Sequence, residues 1–126
     1  MGAPFRILTV DNEPSVTLSL QFVFSGPRYE VLSVADGDVA LAKLEATPAP
    51  FDLIIVDQKM PSLSGLELVG ALRQRRIPGK IIVLSADLTP EIREAYERMS
   101  VEAIFPKPFD IGELRAVVDQ LARSRG

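Results

Sequence analysis

Asp11-Asn12-Glu13, Asp57, Ser85 and Lys107 stand at the ends of four apolar runs of the chain. Carboxylates, a hydroxyl and an ammonium of this kind suit Mg2+ and a phosphoryl group. Mg2+ takes oxygen ligands in octahedral geometry and keeps waters and phosphate oxygens among them, while lysine acts as a point charge on phosphoryl oxygens. Taken singly, each residue has a plainer reading. Asp11 or Asn12 could cap a helix beginning at Pro14, Ser85 could be a small residue at a strand end, and Lys107 could be a solvated turn residue between Pro106 and Pro108. Asp57 resists such a reading, because a carboxylate following Leu53-Ile54-Ile55-Val56 loses solvation unless something compensates it. The joint occurrence of all four at successive strand ends carries the inference.

Composition removes other chemistries. The 126 residues contain no cysteine and no histidine, which excludes disulfides, thiolate nucleophiles, imidazole bases and Cys- or His-ligated metals. A metal site here must be built from oxygen. With 47% apolar residues the chain can bury a core, and its length suits one domain. The net charge of −3 gives no basic stripe for nucleic acid; the cluster Arg73, Arg75 and Arg76 reads as the solvated end of a helix. The apolar runs Leu53–Val56 and Ile81–Leu84 fall far short of the ~20 residues of a membrane span. No signal peptide is indicated either, and a cytoplasmic location is expected.

The elements that must position these residues are legible in the periodicity. Apolar, β-branched runs recur at 5–10, 29–34, 52–56, 80–84 and 103–105. The third and fourth do not alternate with polar residues, as suits parallel strands covered on both faces. Between the runs the period becomes helical: Val16, Leu20 and Val23; Ile92, Ala95, Tyr96 and Met99; and Ile111, Leu114, Val117, Val118 and Leu121 form stripes that read as core. Pro14, Gly26-Pro27, Ala49-Pro50, Pro78-Gly79 and Thr89-Pro90-Glu91 punctuate these segments. The result is a (βα)5 alternation, an α/β doubly wound sheet with helices on both faces. Ligands of such sheets bind outside the carboxyl ends of the strands.

At these residues the sequence resembles the receiver domain of two-component response regulators, over roughly Arg6 to Ala122. Ile7-Leu8-Thr9-Val10-Asp11-Asn12-Glu13-Pro14 is similar to the family's acidic first-strand motif. Leu53 to Pro61, continuing to Gly65, resembles its phosphoacceptor segment. Val83-Leu84-Ser85-Ala86 resembles its Ser/Thr-Ala motif, and Phe105-Pro106-Lys107-Pro108-Phe109 its Lys-Pro-Phe ending. Any one motif is weak, but the four in this order are specific. The resemblance implies a flavodoxin-like sandwich with strand order 2-1-3-4-5. It also implies a single domain over 1–126, with a core of about 5–122 and tails at 1–4 and 123–126.

The resemblance implies roles as well. Asp57 would accept a phosphoryl group, and an aspartate already ionised at neutral pH needs no separate general base. Asp11, Asp57 and the backbone carbonyl of Lys59 would hold Mg2+, with Asn12 at the position of a further ligand. Ser85 and Lys107 would each meet a phosphoryl oxygen, and the Lys107–Pro108 bond would be cis. Movement of Ser85 would carry the signal to the surface of the fourth helix, fifth strand and fifth helix, which could also form a homodimer. With no histidine in the chain, the donor must be a histidine kinase or histidine phosphotransfer protein. The domain would catalyse only its own phosphorylation and dephosphorylation, and contact neither nucleic acid nor membrane.

Three departures from the family pattern stand out. Asn12 occupies the second acidic position; its amide oxygen can still ligate, but one negative charge is gone, so weaker Mg2+ binding is expected, offset in part by Glu13. Ile104 occupies the switch position where the family usually carries Tyr or Phe, and Phe105 should face the opposite way by strand alternation. Lys59 and Asp87 occupy positions that tune hydrolysis. Two other functions compete. One is a phosphorylation-independent pseudo-receiver acting as a protein-binding module. The other is an aspartate-nucleophile phosphatase, which commonly needs a second Asp where this chain has Lys59. The end of the chain soon after the last helical stripe fits either a stand-alone receiver or a piece of a longer protein.

Overall fold

The computed structural model describes residues 3–46 and 50–125. Residues 1, 2 and 126 of the expected tails, and Ala49 of the Ala49-Pro50 signal, lie outside them. Strands and helices alternate as β1 (Phe5–Val10), α1 (Pro14–Val23), β2 (Tyr29–Val34), α2 (Gly37–Ala46), β3 (Leu53–Asp57), α3 (Gly65–Gln74), β4 (Lys80–Ser85), α4 (Pro90–Arg98), β5 (Ala103–Pro106) and α5 (Ile111–Ser124). The strands form one parallel sheet in the order β2-β1-β3-β4-β5, as the motifs implied. No helix among the described residues is long and apolar enough to cross a membrane.

The unalternating apolar runs follow from two covered faces. Ile54, Val56, Ile81 and Val83 point into one core with Ala40, Leu44, Leu68, Leu72 and Tyr96, so α2, α3 and α4 lie on that face. Leu53, Ile55, Ile82 and Leu84 point to the other core with Leu20, Leu114 and Val118, so α1 and α5 lie there. Each fully buried aliphatic side chain contributes about 1.5–3 kcal/mol, and both faces of β3 and β4 are filled this way.

Local sequence sets the helix starts. Ser64 accepts the Glu67 N–H while Glu67 returns a bond to the Ser64 N–H, a reciprocal cap for α3. Thr89 caps α4 through the Ile92 N–H, and Asp110 caps α5 through the Glu113 N–H. For α1 the outcome differs from the capping reading: the N-cap is Glu13, which makes no side-chain cap bond. Asp11 instead accepts the Glu13 N–H at 2.8 Å and turns the chain ahead of the helix.

Two further expectations need correction. Ile111, the first residue of α5, is 40% exposed and does not join the buried stripe that contains Leu114 and Val118. Arg73 is not a simple solvated helix end. Its guanidinium donates to the carbonyls of Met99 at 2.9 Å and Ser100 at 3.2 Å, tying α3 to the end of α4. Arg75 pairs with Glu45 across to α2. Gly79, at φ +135 before β4, sits where a Cβ would press on Ile54 and the Phe51 carbonyl.

Candidate functional site

The sheet register brings the candidate residues to one edge. Val10 pairs with Val56, Val56 with Val83, and Val83 with Ile104. One step further along lie Asp11 and Asp57, and the carboxyl ends of β4 and β5 add Ser85 and Lys107. Asp11, Asp57 and Ser85 are at most 4% exposed, unusual for carboxylates unless they are paired. Lys107 supplies the pairing: its Nζ lies 3.0 Å from Asp11 Oδ2, 3.2 Å from Asp57 Oδ1 and 2.6 Å from Glu13 Oε1. The Lys107–Pro108 peptide bond is cis.

Ser85 is fixed from two sides. Its carbonyl accepts the Lys107 N–H at 2.8 Å, and its Oγ accepts the Asp87 N–H at 3.2 Å, leaving the hydroxyl proton to be donated. Lys59 is exposed, and its backbone N–H donates to the Asp57 carboxylate. Asn12 is exposed beside the cluster. Ile104 packs into the core shared with Val83 and Tyr96, and Phe105 into the opposite one, as strand alternation requires.

The electrostatics reflect this crowding. Burial, and then the Asp11 charge, push the Asp57 carboxyl above its ordinary range; Lys107 and the Lys59 N–H act against them. Burial pulls the Lys107 ammonium down, but hydrogen bonds to Glu13 and Asp11, with the Asp11 and Asp57 charges, outweigh it and hold the pKa above 10.5. Asp11, Glu13 and Asp57 each offer an oxygen, all within 4.8 Å of one another. Three hard oxygen donors at that spacing fit Mg2+. Glu13 enters this group although it is 53% exposed at its side chain; sequence reasoning placed it only as a compensating charge.

Two residues that the sequence did not single out as functional lie close behind Asp57. Gln58, next after Asp57, accepts the Leu66 N–H at 3.1 Å through Oε1, and the same oxygen accepts the Tyr96 hydroxyl. Tyr96 stood in a helical stripe and reads as plain core; only the fold puts its hydroxyl behind Asp57.

Comparison with known proteins agrees with this architecture. Residues 7–119 match the response regulator receiver domain family. The chain is 33% identical over 118 residues to the Bacillus subtilis alkaline phosphatase synthesis transcriptional regulatory protein PhoP, covering 94% of this chain and 48% of that protein. It is 36% identical over 121 residues to the Mycobacterium tuberculosis transcriptional regulatory protein PrrA, covering 96% and 51%. The chain thus spans about half the length of these curated relatives. Among solved structures, the Francisella response regulator 1452 receiver domain superposes with a TM-score of 0.86 at 26% identity, covering 96% of this chain and 98% of that one. The Thermotoga maritima response regulator TrrA, solved in complex with Mg2+-BeF, gives a TM-score of 0.77 at 33% identity, covering 92% and 97%. The fold, the register of its strand ends and these matches agree: this chain belongs to the response regulator receiver domain family.

Proposed function

We propose that this chain is a phosphoacceptor receiver, a single domain that takes a phosphoryl group onto Asp57 from a phosphohistidine of a histidine kinase or histidine phosphotransfer protein. The observation that carries the reading is the Lys107 ammonium held within 3.2 Å of both buried carboxylates, Asp11 and Asp57, at the carboxyl edge of the sheet. Structural pairing accounts for the lysine but not for two carboxylates buried side by side at the ligand-binding edge of the sheet, whereas a phosphoryl-transfer site needs both a carboxylate nucleophile and a cation beside it.

In this reading an Asp57 oxygen attacks phosphorus, the P–N bond to the donor imidazole breaks, and the electron pair leaves with the ring nitrogen. Asp11, Asp57 and the Lys59 carbonyl, with Asn12 at the neighbouring position and Glu13 close by, would hold Mg2+. When bound, the metal neutralises charge on the phosphoryl oxygens and the carboxylates. Lys107 exchanges its Asp11 and Glu13 partners for a phosphoryl oxygen, and Ser85 donates its free hydroxyl proton to another. No external substrate is turned over. The altered Ser85 position then reaches the surface of α4, β5 and α5, the face we assign to downstream partners and to homodimerisation, in a cytoplasmic setting without direct nucleic-acid contact.

The test is mass spectrometry after incubation with acetyl phosphate and Mg2+. A one-phosphoryl mass increase that Asp57→Asn abolishes supports the reading. No increase in the wild type, together with no response to beryllofluoride and Mg2+, refutes it and leaves a phosphorylation-independent binding module.

A further inference from the structure

Tyr96 is the one residue of α4 that is fully buried, at 0% exposure. Its hydroxyl donates to Gln58 Oε1, and Gln58 is the residue that follows Asp57. The remaining bonds of Gln58 fix it from three directions. Its N–H donates to the Leu84 carbonyl at 3.1 Å, adjacent to Ser85. Its carbonyl accepts the Gly65 N–H at 2.9 Å, and Oε1 accepts the Leu66 N–H at 3.1 Å, both at the start of α3. Gln58 therefore joins the phosphoacceptor strand to the end of β4, to α3 and, through one side-chain hydroxyl, to α4.

The surroundings are shaped for that hydroxyl. A Cβ on Gly65 would lie 2.8 Å from the Asp57 carbonyl and 2.9 Å from Gln58 Cα, and would also strike the Tyr96 hydroxyl. Glycine at this position is what lets the phenol reach Gln58. Burial, and then the Asp57 charge, raise the Tyr96 pKa above its ordinary value, so the phenol is protonated, and a donor, at neutral pH. Ile104 borders the same core but has no polar atom with which to report on Asp57.

We propose that Tyr96 is the positioning residue that couples the state of Asp57 to α4, through its hydrogen bond to Gln58. The inference rests on the phosphoacceptor reading and deepens it by naming the connection to the output face. Unmodified, Gln58 holds Tyr96 and with it α4. A phosphoryl group on Asp57 that draws Ser85 inward shifts the Leu84 carbonyl, hence Gln58, and the bond that seats α4 is re-made or lost. A purely structural Tyr96 would contribute stability without changing how α4 responds.

The experiment compares amide 1H–15N spectra with and without beryllofluoride plus Mg2+, in the wild type, Tyr96→Phe and Gln58→Met. In the wild type, amides of Ser85 to Asp87 and of α4 are both expected to shift. In Tyr96→Phe, the Ser85 region still shifts while the α4 response falls about fivefold, the population change that one hydrogen bond can supply. Gln58→Met removes the bond from its other end and gives the same loss, which keeps the test open should Tyr96→Phe fold poorly. A wild-type α4 response in the folded variants overturns the coupling, as does an α4 that never responds in the wild type. A wild type in which even the Ser85 region is silent overturns the phosphoacceptor reading instead, and the coupling with it.

Discussion

Replacing Lys107 with methionine keeps the aliphatic stem and deletes the ammonium that faces Asp11, Asp57 and Glu13. At an effective dielectric of about 20, unit charges about 3 Å apart attract by roughly 5 kcal/mol, and desolvation of the ammonium offsets much of this. Removing one partner of a buried pair leaves the other uncompensated and costs about 3–5 kcal/mol. The lower end, about 3 kcal/mol, applies here, because Glu13 is half exposed and can turn to water. For a chain of this length that lowers Tm by roughly 10 °C. The assay is thermal unfolding by circular dichroism at neutral pH in EDTA, then with added Mg2+. Lys107→Met should melt roughly 10 °C below the wild type in EDTA. Added Mg2+ should raise its Tm more than it raises that of the wild type, since a cation then restores the missing charge. The gap should also narrow as pH falls and the carboxylates protonate, while moderate salt leaves it largely intact because the pair is buried. A variant melting within about 2 °C of the wild type in EDTA would refute the reasoning that Lys107 neutralises this cluster.

Asp57 titrates above its ordinary 3.8 in the folded protein, so its ionisation opposes folding: stability present below that value is lost as pH rises through the folded pKa. Asp57→Asn in EDTA should therefore raise Tm at neutral pH and lose that advantage in acid, and a Tm at or below wild type at neutral pH counts against it. Gly65→Ala forces a methyl against the Asp57 carbonyl and Gln58 Cα. It should cost about 1–3 kcal/mol in urea unfolding, and an unchanged midpoint would show that the α3 start can give way. Both tyrosines of the chain are raised, Tyr29 to about 12 by burial and then by its bond to Asp119. Their stabilisation is full below pH 10 and fades as pH rises through the folded values. Absorbance titration of the folded protein should thus show no tyrosinate near pH 10, whereas a transition there would contradict the burial of both phenols.

Much of the fold was legible because the patterns had one physical outcome. Leu53-Ile54-Ile55-Val56 could not sit with one face in water, and the helical stripes between such runs had to cover both faces. The α5 stripe predicts a covered Ile111 and the structure exposes it, because periodicity says which face a residue is on, not whether a neighbouring element covers that end of the helix. The neighbours of Arg73 in sequence predict a solvated cation, yet the carbonyls of Met99 and Ser100 that hold it lie more than twenty residues away in sequence. Local composition does not contain that distance.

The sequence by itself determined the alternation of elements, the identity of the strand-end residues and, through motif resemblance, the family. These follow from local periodicity and from residue types that occupy fixed places after each run. Only the tertiary structure decided that Lys107 bonds Glu13 as well as Asp11, that a Glu13 oxygen lies with those of Asp11 and Asp57, and that the Tyr96 hydroxyl meets Gln58. Those facts depend on the angles at which separate strands and helices deliver their side chains to one edge, and no single stretch of chain encodes such an angle.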